Sequence, residues 1–553
     1  MKAKIIFMTA WMLYGASVGF AAPAADITEQ QQRAKQQEME QQSRVDAPSV
    51  MTEPEKTAKL KWELPVEKES MQVDTFIIDD EGKGFQWLKR ELKEYRHQRV
   101  GADGLSMMLE KLNTRLKERG FITSRVVLPE QNISGKSVVF KVIPGYIEEI
   151  RFADNEKQGT WHSAFSCKSG DVLNVYDLDQ GLEQMKRVPY QNVKMKLEPG
   201  TTAGKSKVIL EVTREKPWSV GISWDDSGLE STGKHQGAVN FSLYNPTGLN
   251  DVLNFSFTHD TERSDAFGTK NYSFYYCIPY GKYLFSVSHS FSEYEQEVPS
   301  LIPYTQRSEN ELWEFGVERL LHRDSKSKTQ LIGKVLHRHK RNFLNNEEIK
   351  VQELQTSAYR IGVNHRHYIG TGMIDALLYY QKGIPIFSAM PGLDDFNPNY
   401  MTTRYEIWGW NLYYGTPFKL CGADARYKFV MRGQYTKDIL YTADHFSIGG
   451  RYTVKGFSGE NTLAAENGYV IKNEIGFPIK NLNMEPYIGV DYGRVWGPSD
   501  EFNLGKALAG AYVGVKGKVS NLSYDAFIGT PIYKPDGFKA GKTACGFNLY
   551  WEF

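Results

Sequence analysis

Beyond its first residues the chain has no stretch approaching the ~18 consecutive apolar residues that a membrane-spanning helix needs, which excludes a helical membrane protein. Charge of one sign is also missing. With 67 basic and 66 acidic residues the net charge is +1, so no bulk field recruits nucleic acid or anionic lipid. Cysteine is scarce, with only Cys167, Cys277, Cys421 and Cys545 in 553 residues. These are too few and too far apart for a disulfide framework, and none is ligand-spaced with another Cys or His; they read as isolated buried thiols.

Catalytic signatures are absent as well. There is no Gly-x-Ser-x-Gly elbow and no His-Glu-x-x-His helix. Pro199-Gly-Thr-Thr-Ala-Gly-Lys-Ser206 has three residues between its glycines where the phosphate loop needs four, and it sits between two strands, so it reads as a hairpin turn. His337 with His339, and His365 with His367, share strand faces without an acid or Cys at matching spacing. No enzyme activity, cofactor or metal is expected.

What is present begins with Lys2 and Lys4, the apolar run Ile5–Leu13 and the small residues Ala21–Ala25, the layout of a secretory signal peptide over 1–24. Residues 25–45 are helix formers that are polar on every side, which suits either a disordered tether or a helix lodged in a wet cavity. Residues 46–65, with Pro48, Pro54 and Pro65, read as an extended linker.

From 66 the pattern is globular. A strand at Asp74–Ile78 precedes helical spacing at Phe85, Leu88, Leu92 and Tyr95 and at Leu105, Met108, Leu109, Leu112 and Leu116, stopped by Gly120. Strands at 122–128 and 136–143 close this first module, 66–145. A second, similar module over 146–214 carries a helix at Leu178, Leu182 and Met185. Tandem α+β modules point to a binding array more than to an active site.

From 215 to 553 the periodicity is two: Val220, Ile222 and Trp224; Leu253, Phe255 and Phe257 against Asn254, Ser256 and Thr258; Phe547, Leu549, Trp551 and Phe553 against Asn548, Tyr550 and Glu552. One face is apolar and the other wet. Aromatics reach 13% while mean hydropathy is that of a soluble chain, the combination expected when only every second strand residue meets lipid. At about twenty residues per strand with its connection, this length gives on the order of sixteen strands. The fold class expected is therefore mainly β, a 16-stranded transmembrane antiparallel β-barrel behind two small α+β modules.

Several stretches resemble one family, the outer-membrane transporters of two-partner secretion (TpsB), over nearly the whole mature chain. Gly120–Gln131 is similar to its first POTRA signature, with Arg125, Pro129 and Gln131; Asp177–Gln184 is similar to the second, with Asp177, Gln180 and Gly181. Asn245–Asp251 resembles the turn after the first barrel hairpin. Gly449-Gly-Arg-Tyr-Thr-Val-Lys-Gly-Phe457 resembles the tip of the sixth extracellular loop, folded back into the lumen around 445–468.

The resemblance implies a latch of Val454, Lys455, Gly456 and Phe457 against the wall residues Gly489, Asp491 and Gly493, with Lys455 standing where the family usually has Arg. Lys lacks the bidentate fork, so the latch is expected to be aimed differently. The alternation independently places Gly489, Asp491 and Gly493 inward, against Ile488, Val490 and Tyr492.

The resemblance further makes residues 25–45 a plug helix. It implies that the POTRA modules sit in the periplasm and bind there, unfolded, a large secreted exoprotein. No nucleic-acid partner is expected, and a monomer is. The layout is most like the branch of contact-dependent growth inhibition (CdiB) and haemolysin transporters, with a CdiA-like toxin as the expected partner. A haemolysin or adhesin exporter, a barrel-assembly insertase similar to BamA, and a passive porin are the alternatives; tandem modules speak against the porin, and having only two speaks against the insertase.

Overall fold

The computed structural model describes residues 24–50, 62–132, 136–153, 159–262, 264, 267–298, 302–397 and 399–553. The signal-peptide segment through residue 23 and the linker residues 51–61 lie outside the described residues. Helix α1, Ala24–Asp46, comes first. Its 23 residues span about 34 Å at ~1.5 Å per residue, enough to cross a bilayer core of about 30 Å.

Module one contains β1 (Met71–Val73), β2 (Thr75–Asp79), a 3₁₀ helix (Gln86–Tyr95), β3 (Gln98–Val100), α2 (Ala102–Glu118), β4 (Arg125–Val127) and β5 (Ser137–Ile143). Its sheet runs β2-β5-β4, with β2 parallel to β5. Alternation buries Phe76 and Ile78 of β2 against Val138, Phe140 and Val142 of β5, while Leu105, Met108, Leu112 and Leu116 form the stripe of α2 that closes this core. Helix α2 ends at Gly120, whose φ of +88° a side chain would disfavour. At its other end Glu67 accepts from the backbone N–H groups of Gly101, Asp103 and Gly104, placing a carboxylate on the helix N-terminus.

Module two has β6 (Tyr146–Phe152), α3 (Val175–Lys186), β7 (Gln191–Pro199) and β8 (Lys205–Arg214) in the order β6-β8-β7. Among the described residues it has one regular helix where module one has an α-helix and a 3₁₀ helix. Pro199–Ser206 forms the turn between β7 and β8.

Sixteen long strands then close into one antiparallel barrel. They are β9 (Trp218–Asp225), β10 (Gln236–Tyr244), β11 (Val252–Asp260), β12 (Phe267–Tyr280), β13 (Tyr283–Val298), β14 (Tyr304–Arg323), β15 (Ser327–Leu344), β16 (Leu354–Ile369), β17 (Gly372–Gly383), β18 (Glu406–Leu420), β19 (Ala423–Thr436), β20 (Asn467–Gly476), β21 (Met484–Trp496), β22 (Ala507–Val519), β23 (Leu522–Tyr533) and β24 (Ala544–Glu552). Ile222, Trp224, Phe255, Phe257, Val513 and Trp551 stand exposed on the outer face, as the two-residue period requires. The seam between β24 and β9 is short, running from Asn548 opposite Asp225 to Glu552 opposite Gly221.

Helix α1 runs down the lumen. Loop six, residues 437–466, turns inward as a small hairpin of Phe446–Ile448 with Leu463–Ala465. With Val454, Phe457, Val470, Val495, Leu508 and Phe538 this hairpin builds an apolar core inside the barrel. Among the cysteines Cys167 and Cys277 are buried, but Cys421 and Cys545 are exposed, which corrects the expectation that all four are buried. Cys421 sits in a turn and Cys545 on a lipid-facing position of β24, where the alternation puts it opposite Ile528.

Candidate functional site

The loop-six tip is shaped by local hydrogen bonds. The Thr453 hydroxyl accepts from Gly449 N–H at 3.1 Å and Gly450 N–H at 3.2 Å, and Val454 N–H donates back to the Gly450 carbonyl at 2.9 Å. The tip buries Val454 completely and sets Phe457 edge-on to Phe538, with ring centroids 5.9 Å apart. Gly456 has φ +107° and lies against the β23 backbone, where a Cβ would stand 2.6 Å from the Thr530 carbonyl oxygen.

The structure brings Lys455 to Asp491, through the main chain. Asp491 Oδ2 accepts from the Lys455 backbone N–H at 3.0 Å. The ammonium points elsewhere: Lys455 Nζ is 3.7 Å from Glu474 and lies over the rings of Tyr512, Tyr487 and Phe527 at 4.5, 5.1 and 5.2 Å. A compact cation on a flexible stem takes an aromatic box and a carboxylate one register step along β20, where a planar guanidinium has a geometric reason to face Asp491 in a fork. Glu474 is one of the contact residues that the sequence reading missed.

The wall glycines divide. A Cβ on Gly493 would stand 2.8 Å from Ile448 and 3.0 Å from Val454, so this glycine makes room for the loop. Gly489 instead makes room for the Tyr512 ring. Gly510, directly across from Asp491, Gly529 and Gly546 were not singled out in the sequence, yet a Cβ on them would strike the Lys455 carbonyl, the Gly456 backbone and the Arg451 guanidinium. Their signal was inward register on the three strands that follow Asp491, β22, β23 and β24. Arg451 itself pairs with Asp226 at 2.9 Å, tying the loop to the connection between β9 and β10.

Helix α1 fills the rest of the lumen with paired charges. From its outer to its periplasmic end, Asp26 and Glu29 meet Lys340 at 2.9 and 2.6 Å, Lys35 meets Asp225 at 3.4 Å, Glu38 meets Lys472 at 2.8 Å and Glu40 meets Lys334 at 2.7 Å. Arg44 lies 3.8 Å from Asp375, and the Arg366 guanidinium donates to the Arg44 carbonyl. The wall partners come from β9, β15, β16, β17 and β20, so every side of the helix has a polar counterpart. Buried pairs of this kind add little net stability over apolar packing, but removing one partner leaves an uncompensated charge inside the barrel, so together they fix the position of the helix.

At the periplasmic mouth of the barrel one residue joins three bodies. Arg323, ending β14, donates to Gln180 at 2.8 Å, to Glu183 at 2.9 Å and to the Val50 carbonyl just past α1; Lys328 also pairs with Glu183. Burial opposes the charge on Glu183, but Lys328 and Arg323 outweigh it and hold its carboxyl below the usual range. Asp177 pairs with Lys282 of a periplasmic barrel turn at 2.7 Å, and Gly181 packs on the Phe165 ring. The Asn245–Asp251 turn docks on the same module, with Asn250 donating to the Thr160 carbonyl at 2.7 Å.

Asp177, Gln180 and Gly181, expected to bind the partner, thus face the barrel or the interior of module two. In module one Arg125 is exposed on β4, but Asn113 takes both the N–H and the carbonyl of Val126, capping that edge at 2.8 and 3.1 Å. Gln131 likewise holds the N–H and carbonyl of Val139 at 2.7 and 2.8 Å, and also donates to the Pro129 carbonyl at 3.3 Å, so Gln131 and Pro129 brace the module.

Comparison with known proteins agrees with this architecture. Residues 204–517 match the family described as haemolysin secretion/activation protein ShlB/FhaC/HecB. Residues 83–145 match the ShlB-type POTRA domain and 146–199 a further POTRA domain. The chain is 35% identical to the outer membrane transporter CdiB-2 of Burkholderia pseudomallei (strain 1026b), over 96% of this chain and 95% of that one. It is 27% identical to the hemolysin transporter protein HpmB of Proteus mirabilis, over 71% and 70% of the two chains. Among solved structures, CdiB from Acinetobacter baumannii superposes with a TM-score of 0.86 at 26% identity, covering 97% of this chain and 100% of that one. CdiB from Escherichia coli gives the same score and coverage at 23% identity, a likeness of fold. The chain therefore belongs to the ShlB/FhaC/HecB family of two-partner secretion transporters, the TpsB group, and is an outer-membrane transporter whose POTRA modules lie in the periplasm.

Proposed function

We propose that this transporter exports a CdiA-like contact-dependent inhibition toxin, captured unfolded in the periplasm, and that it works as a monomer without catalysing a reaction. The nearly end-to-end match to CdiB-2 supports the partner class. The capture route rests on one observation. The outer strand β7 of module two runs nine residues with Asn192, Lys194, Lys196 and Glu198 exposed, and among the described residues no side chain caps its outer edge, whereas Asn113 caps β4. An extended chain can add to such an edge through main-chain hydrogen bonds. Pulling module two then strains the Glu183–Arg323–Val50 junction, α1 loses its hold at the periplasmic mouth, and the lumen opens. Folding of the partner outside prevents backsliding.

A photo-crosslinking residue placed at Lys194 or Lys196 of the full-length protein is expected to trap the partner's N-terminal domain. Crosslinks at Arg125 with none at 194 or 196 would move recognition to module one.

A further inference from the structure

Loop five, residues 384–405, leaves the rim between β17 and β18 in the direction opposite to loop six. Its first part folds down the outside of the wall. On β16 the residues Ile361 and Val363 are exposed to lipid while Arg366 reaches into the lumen to the Arg44 carbonyl, so odd positions face outward. Gln355 and Ser357 share that outward face. Ser357 donates to the Ile386 carbonyl at 2.8 Å, Gln355 donates through its side chain to the Phe387 carbonyl at 3.4 Å, and Met390 N–H donates to the Gln355 carbonyl at 2.8 Å. The Phe387 ring lies 5.8 Å from that of His337, an outward residue of β15 directly across from Trp313.

This contact sits at the outer aromatic girdle. Tyr359 is one outward step below Ser357, and Tyr359, Tyr380 and Trp408 run side by side at 6.2 and 5.1 Å. The Lys382–Glu406 pair at 2.7 Å marks the polar level just above them. Girdles of this kind lie at the boundary of the hydrocarbon. Against it the loop presents Ile386 at 36% and Phe387 at 58% exposure. Phe387 and Ser388 both adopt left-handed φ, +52° and +58°, conformations a phenylalanine rarely takes, and the turn they make holds the ring outward.

We propose that Ile384–Pro391 is an interfacial anchor seated in the outer-leaflet lipid, continuing the barrel's lipid-facing surface upward on this side. The segment is apolar, it lies on the lipid side of the wall, and it adjoins the girdle without a break. The return of loop five then links this anchor to the stem of loop six, through the Thr402 N–H donating to the Ile439 carbonyl at 3.0 Å.

The test uses the full-length protein with Cys421→Ser and Cys545→Ser, reconstituted in phosphatidylethanolamine/phosphatidylglycerol vesicles. A nitroxide is attached at Phe387→Cys, at the lipid-facing Val363→Cys or at Asp536→Cys, an exposed position in the connection between β23 and β24. Power saturation against oxygen and a water-soluble nickel chelate reads the surroundings of each label. The label at 387 is expected to show an oxygen-to-nickel accessibility ratio close to that at 363 and several-fold above that at 536. A ratio like that at 536 overturns the proposal by placing the segment in water. Low access to both reagents, or spin–spin broadening, overturns it too, by showing protein or a second copy over the segment.

Discussion

Replacing Gly456 by alanine strikes the loop-six tip in two ways at once. The residue's φ of +107° is one that an L side chain avoids, and adopting left-handed backbone costs about 1–2 kcal/mol. The new methyl would also lie 2.6 Å from the Thr530 carbonyl oxygen, while real Cβ contacts begin at 3.0 Å and are ordinary from 3.4 Å. That oxygen belongs to the β23 backbone and has no rotamer to change, so the tip must retreat by about 0.4 to 0.8 Å. A retreat of this size lengthens the bond from Lys455 N–H to Asp491 from 3.0 Å to about 3.4–3.8 Å, at or beyond the limit of a hydrogen bond. Overpacking of this kind costs about 1–3 kcal/mol. The sum, about 2–5 kcal/mol, lowers the docked-to-undocked ratio of the loop roughly thirty-fold to several-thousand-fold at ~1.4 kcal/mol per decade.

Trypsin reads the outcome, since Arg451 and Lys455 are shielded in the docked loop. In bilayers Gly456→Ala should be cut at the tip, and its single-channel conductance should rise and fluctuate. Gly333→Ala, whose methyl would meet only Val317 at an ordinary 3.4 Å, should behave as wild type. A Gly456→Ala protein that resists trypsin and conducts as wild type does would refute the steric argument.

The plug's charges offer a reciprocal test. Lys472→Glu faces Glu38 with like charge and should raise resting conductance, and adding Glu38→Lys should restore it through a coupling of about 0.5–3 kcal/mol; strictly additive effects would show that the pair does not hold the helix. The junction at the periplasmic mouth should respond to pH. Because the folded carboxyl of Glu183 is held below its unfolded value, its contribution is complete above the unfolded value of about 4.3 and is lost as pH falls through the folded one. The protection factors of the Ala47, Ser49 and Val50 amides, corrected for the intrinsic pH dependence of exchange, should thus be high at neutral pH and fall in acid, and Glu183→Gln should show the acid behaviour already at pH 7; equal protection factors in both proteins across that range would contradict the junction.

Much of this architecture was legible in the sequence because it depends on local alternation. A strand between lipid and water must repeat every two residues, and the run from Val220 to Phe553 does so; Asp491 among Ile488, Val490 and Tyr492 could be placed inward for the same reason. The helical stripe of α2 and its stop at Gly120 followed equally from spacing and backbone geometry.

Residues 25–45 show the limit of that reasoning. Polarity on every face is common to a tether and to a plug, and the difference lies in Lys334, Lys340, Asp375 and Lys472, hundreds of residues away, which arrive only when the barrel closes. The modules behave similarly: Gln180 and Gly181 carry a signature, but whether it faces a partner or the barrel depended on where Arg323 and Phe165 came to lie. At the latch the alternation placed Asp491 inward, and the resemblance to the family named it as the wall acid the tip would reach. It took the closed barrel to give Asp491 the backbone of Lys455 and to give Glu474 and three aromatic rings its ammonium, because a single charge on a flexible stem goes wherever the packed surroundings offer carboxylate and π-face together.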